Sequence, residues 1–190
     1  MKYDGSVWTI YNDTLTFGRF HIKDIEVDSN NKLWFITQIT GYTHYEEGFN
    51  VYQFDGNILD TIASGPLPNF IYYDIEPDFE GNMMVMGRYY PPIQYSYPIF
   101  EFHRFNILNF QNSKIPFPTG FDLGEYFLAS TTDTIWCGSS AGLSYYTNGI
   151  WSLIDSSNSN IPVNKINCVT TDHKNNIWAG TDNGLIEYPN

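Results

Sequence analysis

Apolar residues along this chain fall at alternate positions in short runs, such as Val7-Trp8-Thr9-Ile10-Tyr11, separated by clusters of Asn, Asp, Gly, Ser and Pro. A period of two puts successive side chains on opposite faces of a strand, and the three-to-four spacing of an amphipathic helix is almost absent. The pattern predicts an all-β protein. Laid on itself, the chain repeats: VDSNNKLWF, PDFEGNMMV and TDHKNNIWA share one frame, and ASTTDTIWC is a weaker fourth copy. Asp28, Asp78 and Asp172 each stand six residues before a large apolar residue, Trp34, Met84 and Trp178, while Ser130 holds that place before Trp136. Three residues after the Asp or Ser comes Asn31, Gly81, Asp133 or Asn175, the residue types that best tolerate positive φ. A type I turn closed by a left-handed residue joins two antiparallel strands, and an Asp or Ser side chain can cap that turn's own amides. Each copy is therefore expected to be a hairpin. A calcium loop is the poorer reading, because no copy has the ligand count or the distal Glu of an EF-hand.

A third strand follows each hairpin, most clearly at Gly142 to Tyr146 and Gly184 to Tyr188. Candidates for a fourth are Val7 to Asn12, Ile58 to Ile62, Ile107 to Gln111 and Trp151 to Asp155. The period from Trp136 to Trp178 is 42 residues, and local insertions lengthen the other steps to 50 and 52. A four-stranded unit recurring at this interval marks propeller blades, each burying both faces against its neighbours. The expected architecture is a single β-propeller domain over residues 1–190, built of four four-stranded antiparallel blades with repeats near 6–56, 57–105, 106–148 and 149–190. Two arrangements fit the strand phase: a closed four-blade ring, with Val7 to Asn12 completing the last blade, or a segment of a larger propeller. Open blade edges in the second would allow self-association.

Composition then narrows function. With 42% hydrophobic and 18% aromatic residues, the 190-residue chain can bury a core, which excludes intrinsic disorder. Its formal charge of −12 repels phosphate backbones and anionic lipid, so nucleic acid and membrane surfaces are disfavoured as partners. No apolar run approaches the roughly 20 residues that cross a bilayer, and the polar opening MKYDGSVW predicts no signal peptide within this chain. Cys137 and Cys168 lie in strand-like apolar runs and are expected as buried free thiols.

The stretch INCVTTDHKNNIWAGTDNGLIEYPN, preceded by NGIWSLIDSSNSNIPVNK, resembles the two-component regulator propeller repeat, whose pattern is roughly V-x-x-I-x-x-D-x-x-G-x-[LI]-W-x-G-T-x-x-G-L-x-x-[YF]. The match is good at residues 148–190, fair at 5–37 and 124–149, and degraded at 70–105, where Met84 replaces the Trp. Such repeats occur in sensor regions of bacterial hybrid two-component systems that recognise oligosaccharides. The resemblance implies a periplasmic or extracellular module for binding or scaffolding in signal transduction, not catalysis, and it implies no cofactor.

Two insertions fall at one topological place, between the second and third strands of the first two blades: QITGYTHYEEG at 38–48 and RYYPPIQYSYP at 88–98. In an up-and-down blade those loops emerge on the ring face that also receives the links between blades. The links are expected to carry Arg19, His21, Phe70 and Tyr72, and the insertions Tyr42, His44, Tyr45, Arg88, Tyr89, Tyr90, Tyr95 and Tyr97. Tyr presents a flat apolar ring with a polar tip at low entropic cost, which suits an oligosaccharide or a protein partner. The plainer alternative is that these loops fold over and cover a blade edge. DIEVD at 24–28 and DIEPD at 74–78 would set Asp24, Glu26 and Asp28, and Asp74, Glu76 and Asp78, in two acidic rows near the ring axis. Solvated channel walls tolerate such carboxylates, so no metal is assigned, although a hard cation would suit their oxygens. His21, His44, His103 and His173 are scattered, and His44 with Glu46 or Glu47 could supply a base with a nearby acid, as a propeller lyase or hydrolase would need. The non-enzymatic reading is preferred.

Overall fold

The computed structural model describes residues 2–9, 20–39, 49–65, 70–89, 99–115, 127–131 and 133–189. Its described residues form strands and turns without a helix. A hairpin of β1 (Lys2–Tyr3) and β2 (Trp8–Thr9) precedes four antiparallel sheets. The first blade comprises β3 (Phe20–Val27), β4 (Leu33–Ile39), β5 (Phe49–Phe54) and β6 (Leu59–Gly65). The second comprises β7 (Phe70–Pro77), β8 (Met83–Tyr89), β9 (Ile99–Phe105) and β10 (Asn112–Ile115). β11 (Phe127–Ser130), β12 (Ile135–Gly138), β13 (Leu143–Thr147) and β14 (Ile150–Ile154) make the third. β15 (Ile166–Thr171), β16 (Ile177–Thr181) and β17 (Gly184–Tyr188) make the fourth, of three strands among the described residues. Neighbours in sequence pair in every sheet, and the first strands β3, β7, β11 and β15 pack in that order. The molecule is a four-blade β-propeller.

The recurring Asp explains why blades one, two and four open with the same tight hairpin. Asp28 Oδ1 accepts the amides of Asn30 at 2.8 Å and Lys32 at 3.0 Å, and Asn31 takes the left-handed φ of 60°. Its other oxygen accepts the Trp34 indole N–H at 2.8 Å and Gln53 Nε2 at 3.3 Å. The six-residue spacing thus lets one carboxylate clamp both the turn and the large residue of the next strand. Asp172 repeats the arrangement, with Lys174 and Asn176 amides on Oδ1 and Trp178 Nε1 on Oδ2 at 3.1 Å. In the second blade Met84 has no side-chain N–H to give, and Arg104 Nε from β9 donates to Asp78 Oδ2 instead, while its Nη2 reaches Glu80 at 2.9 Å.

The weak fourth copy departs from the expected cap. Ser130 pairs with Ile135 inside the sheet and donates its hydroxyl to Pro77 O at 2.9 Å, so it does not cap the turn. Thr131 N donates to Thr134 O at 2.9 Å, which closes a loop one residue shorter than the one Asp28 closes. Without an Asp in place, the buried Trp136 Nε1 has no hydrogen-bond partner among the described residues. A second correction concerns the outer strand of blade two, which is Asn112–Ile115 and not Ile107 to Gln111. The reason is local: Asn106 Oδ1 accepts the amides of Leu108 and Asn109, and Phe110 turns to a φ of 57°, so these residues form the bend before the strand.

Between blades the core falls into three repeating slabs. Trp34, Ile36 and Val51 of blade one meet Ile75, Met83, Val85 and Phe105 of blade two. Met84, Met86, Phe100 and Phe102 on the far side of blade two meet Ile135 and Cys137. Ala129, Trp136 and Leu143 meet Ile166, Val169, Ile177 and Ala179. Burial of each large side chain contributes about 1.5–3 kcal/mol, so these slabs hold the blades together. Among the described residues one hydrogen bond also crosses each joint: Ile75 N to Asp24 Oδ2, Ser130 Oγ to Pro77 O, and Ile166 N to Ser139 O, all at 2.9 Å. Fit is tight at the third joint, where a Cβ on Gly138 would meet Ile166 Cγ2 at 2.5 Å. Cys137 is buried and free as expected, but Cys168 is exposed, because it lies on the side of blade four that faces away from blade three.

The clamp makes an unequal pair of tryptophans. Trp34→Phe loses a charge-assisted hydrogen bond and leaves Asp28 Oδ2 with only the longer bond from Gln53, whereas Trp136→Phe removes a donor that has no partner among the described residues. Urea unfolding is expected to show Trp34→Phe as the costlier by about 2 kcal/mol. Equal costs would contradict the clamp.

Candidate functional site

The topology fixes where the tyrosine-rich insertions leave the sheets. Gln38 pairs with Phe49 near the ends of β4 and β5, and Tyr89 pairs with Ile99 at the ends of β8 and β9. The same end of blade one carries the start of β3, where Phe20 pairs with Ile39, and that of blade two carries the start of β7, where Phe70 pairs with Tyr89. Because blades one and two pack side by side in the same orientation, the connections 40–48 and 90–98 depart from one end of the propeller. His21, Tyr72, Arg88 and Tyr89 belong to strands at that end. His21 is exposed and paired with Gln38; Tyr72 pairs with Gly87, and Arg88 with Ile71 and Phe100. His21, Phe70 and Tyr72 were expected in the links, but β3 and β7 begin early enough to include them, since β4 and β8 run on to Ile39 and Tyr89 and pair with them. Arg19, Tyr42, His44, Tyr45, Tyr90, Tyr95 and Tyr97 lie outside the described residues, as do Glu46 and Glu47.

Nearer the first strands, the two acidic rows are shorter than expected. Asp28 and Asp78 follow their strands and are buried in the turn clamps, which removes them from the rows. Asp24 is engaged too, accepting Ile25 N on one oxygen and Ile75 N on the other, both at 2.9 Å. What remains is a cluster of Glu26, Asp74 and Glu76 around Asp24. Burial pushes the Glu76 carboxyl up to about 8, and Glu26, Asp74 and Asp24 add to the rise. Glu26 is also raised, by burial and then by Asp24. At neutral pH Glu76 therefore holds a proton, which relieves the repulsion among four carboxyls. Among the described residues, no group of three or more His, Cys, Asp or Glu side chains is placed to hold a metal ion.

One histidine-carboxylate pair escaped the reading of spacing along the chain. His103 on β9 sits two residues from Glu101, with Nε2 3.0 Å from Glu101 Oε2, and its Nδ1 lies 3.2 Å from Asn112 Oδ1. Lys114 donates to both Glu101 oxygens at 2.8 Å. Against the upward push of burial, Lys114 and His103 bring the Glu101 carboxyl below its usual range. The His103 ring is buried and both its nitrogens are engaged within the sheet, so this network joins β9 to β10. The i, i+2 period of a strand was the signal for it. His173 is exposed on its turn, as expected.

The raised Glu76 has a measurable consequence. Unfolded, this carboxyl titrates near 4.5, so between that pH and about 8 the folded protein keeps a proton that the unfolded chain has released. Its contribution to stability is complete below 4.5 and is lost as pH rises through 8. Urea unfolding of Glu76→Gln between about pH 5 and 9 is expected to show a flatter decline than the wild type and greater stability at the alkaline end. Parallel profiles would show that Glu76 ionises as an ordinary carboxylate.

Comparison with known proteins places this geometry. Residues 160–183 match the two component regulator propeller family, at the turn and strands that carry Asp172 and Trp178. No curated protein gives a significant match to the sequence. Among solved structures, luciferin-regenerating enzyme is similar with a TM-score of 0.58 at 12% identity, over 88% of this chain and 58% of that one. The extracellular domain of the hybrid two component system BT4673 from B. thetaiotaomicron gives 0.53 at 18% identity, over 88% of this chain and 20% of that one. A catalytically inactive virginiamycin B lyase from Staphylococcus aureus, with quinupristin, gives 0.51 at 12% identity, over 93% and 72%. This chain thus spans little more than half of the first of these proteins and a fifth of the second. At such identities the likeness is one of fold. The chain is a four-blade β-propeller in which residues 160–183 match the two component regulator propeller repeat.

Proposed function

We propose that this propeller is a non-enzymatic, extracytoplasmic module that recognises an oligosaccharide or protein partner on its tyrosine-rich face. One observation carries the reading: β4, β5, β8 and β9 end together on two adjacent blades, so two insertions holding six of the fifteen tyrosines leave from neighbouring places. Tyrosine rings stack on the apolar faces of sugars and keep a hydroxyl for hydrogen bonding, and they lose little rotamer entropy on binding. Arg88 and His21 at the strand ends would add directional donors. The repeat at 160–183 and the likeness to the extracellular domain of a two component system favour a sensing role outside the cytoplasm. Enzymes occur among the similar folds, but a shared fold does not carry chemistry from one protein to another.

The test is a glycan array probed with the wild-type chain and with a variant in which Tyr45, Tyr89, Tyr90 and Tyr95 are replaced by Ala. Binding to a defined sugar that weakens about a hundredfold in the variant is the expected result, at about 1 kcal/mol or less for each lost ring contact. Binding indifferent to these tyrosines, or no sugar bound at all, would remove the oligosaccharide reading.

A further inference from the structure

The propeller has a second end, opposite the one from which the tyrosine-rich insertions leave. β5 starts at the insertion end, where Phe49 pairs with Gln38, and runs to Phe54, which pairs with Leu33 and Leu59. The β5–β6 turn therefore stands beside the turn held by Asp28. β9 likewise runs to Phe105, paired with Met83 and Asn112, so its bend to β10 stands beside the turn held by Asp78. In blade three Tyr146 pairs with Ile135, which brings the β13–β14 turn beside that of Thr131 and Thr134. Because the blades pack side by side in one orientation, these three outer turns share one face of the ring.

Each of the three exposes a large aliphatic side chain. Ile58 is 60% exposed, Leu108 82% and Ile150 67%. The turns themselves do not use these side chains. Asp55 Oδ1 accepts the Ile58 amide at 2.8 Å and Asn106 Oδ1 accepts that of Leu108 at 3.0 Å, while the blade-three turn is made by Asn148 and Gly149 at φ of 51° and 83°. One exposed aliphatic residue needs no explanation, but the same place in three successive blades does. The apolar surface also continues between blades: Phe79 is exposed on the β7–β8 turn, and Phe110 reaches from the blade-two bend to the Trp34 ring of blade one, 6.2 Å between centroids.

The surrounding charges select the partner. Asp55, Asp60, Glu80 and Asp133 are exposed at this end of blades one to three. Amides of Ile58 and Asn57 hold the Asp55 carboxyl below its usual range, so it stays ionised at neutral pH. Nearby cations are engaged: Lys32 donates to Gln53 Oε1 at 3.1 Å, and Arg104 lies between Asp78 and Glu80. Lys174 is exposed on the turn of blade four.

We propose that this face docks a basic protein partner, one that presents aliphatic side chains interspersed with Lys or Arg. Ile58, Leu108 and Ile150 supply apolar surface that leaves water on contact, and the carboxylates steer the partner and fix the sign of its charge. A nucleic acid or an anionic lipid surface meets the same carboxylates as repulsion. The inference stands whatever binds at the tyrosine-rich end, which faces the other way.

Fluorescence anisotropy of the full chain with labelled synthetic peptides of one length tests this, the first alternating Leu and Lys, the second Ser and Lys, the third Leu and Glu. The Leu-Lys peptide is expected to bind about tenfold more tightly than the Ser-Lys peptide, and the Leu-Glu peptide not to bind. Added salt should weaken the Leu-Lys complex. Combining Ile58→Ser, Leu108→Ser and Ile150→Ser should weaken Leu-Lys binding about tenfold and leave Ser-Lys binding as it was. Asp60→Asn with Glu80→Gln should weaken both, whereas Asp155→Asn with Asp182→Asn, which removes the same charge at the insertion end, should change neither. Failure of the Leu-Lys peptide to bind would overturn the proposal. So would equal binding of the Leu-Glu peptide, a triple Ser variant that binds as the wild type does, or equal losses from the carboxylates of the two ends.

Discussion

One carboxylate with two duties underlies this fold. The oxygens of Asp28 divide their work: one gathers the amides of a left-handed turn and the other takes the indole N–H of a buried tryptophan six residues on. A hairpin turn at the rim is thereby tied to the slab between two blades. Asp172 shows the strength of such a clamp, since against the upward push of burial the Trp178 indole and the Lys174 and Asn176 donors hold its carboxyl down at about 2. The clamp also tolerates substitution when its geometry is kept. In blade two, Arg104 from the third strand takes the place of the missing indole at Asp78.

Because each clamp serves its own blade, the blades behave as units that add side by side. Their joints are made of one apolar slab and one crossing hydrogen bond, and the crossing group differs each time: a carboxylate, a serine hydroxyl, and two backbone groups. The common requirement is flat, close-packed faces, which glycine at 138 and methionine at 83, 84 and 86 meet by leaving room or by adapting shape. An inner cluster of carboxyls is accommodated by keeping a proton on Glu76 rather than by recruiting lysine or arginine.

Much of this was legible in the sequence, for a physical reason. A hairpin that needs Asp, then a left-handed residue, then a large apolar residue leaves a fixed spacing, and Asp28, Asp78 and Asp172 show it directly. Spacing did not reveal the purpose of the interval, because the indole contact is made through space. It also misled at Ser130, where Trp136 preserves the frame but a shorter loop has replaced the clamp, and at Ile107 to Gln111, where an apolar run forms a bend under the control of Asn106. Cys168 was misjudged because an apolar run does not say which face of its strand meets the preceding blade. For the candidate site, the sequence supplied residue types and the topology supplied their common end of the molecule. The His103 to Glu101 pair lay in plain view at the strand period, yet only the paired neighbours Asn112 and Lys114 identify it as part of the sheet.

The clamp is tested most directly by hydrogen exchange at the Asn30 and Lys32 amides and the Trp34 indole, in the wild type and in Asp28→Ala. A single carboxylate carrying all three predicts that they are protected together and lose protection together when it is removed. A Trp34 indole that stays protected while the two turn amides open would show that turn and core are held independently, and would contradict the account.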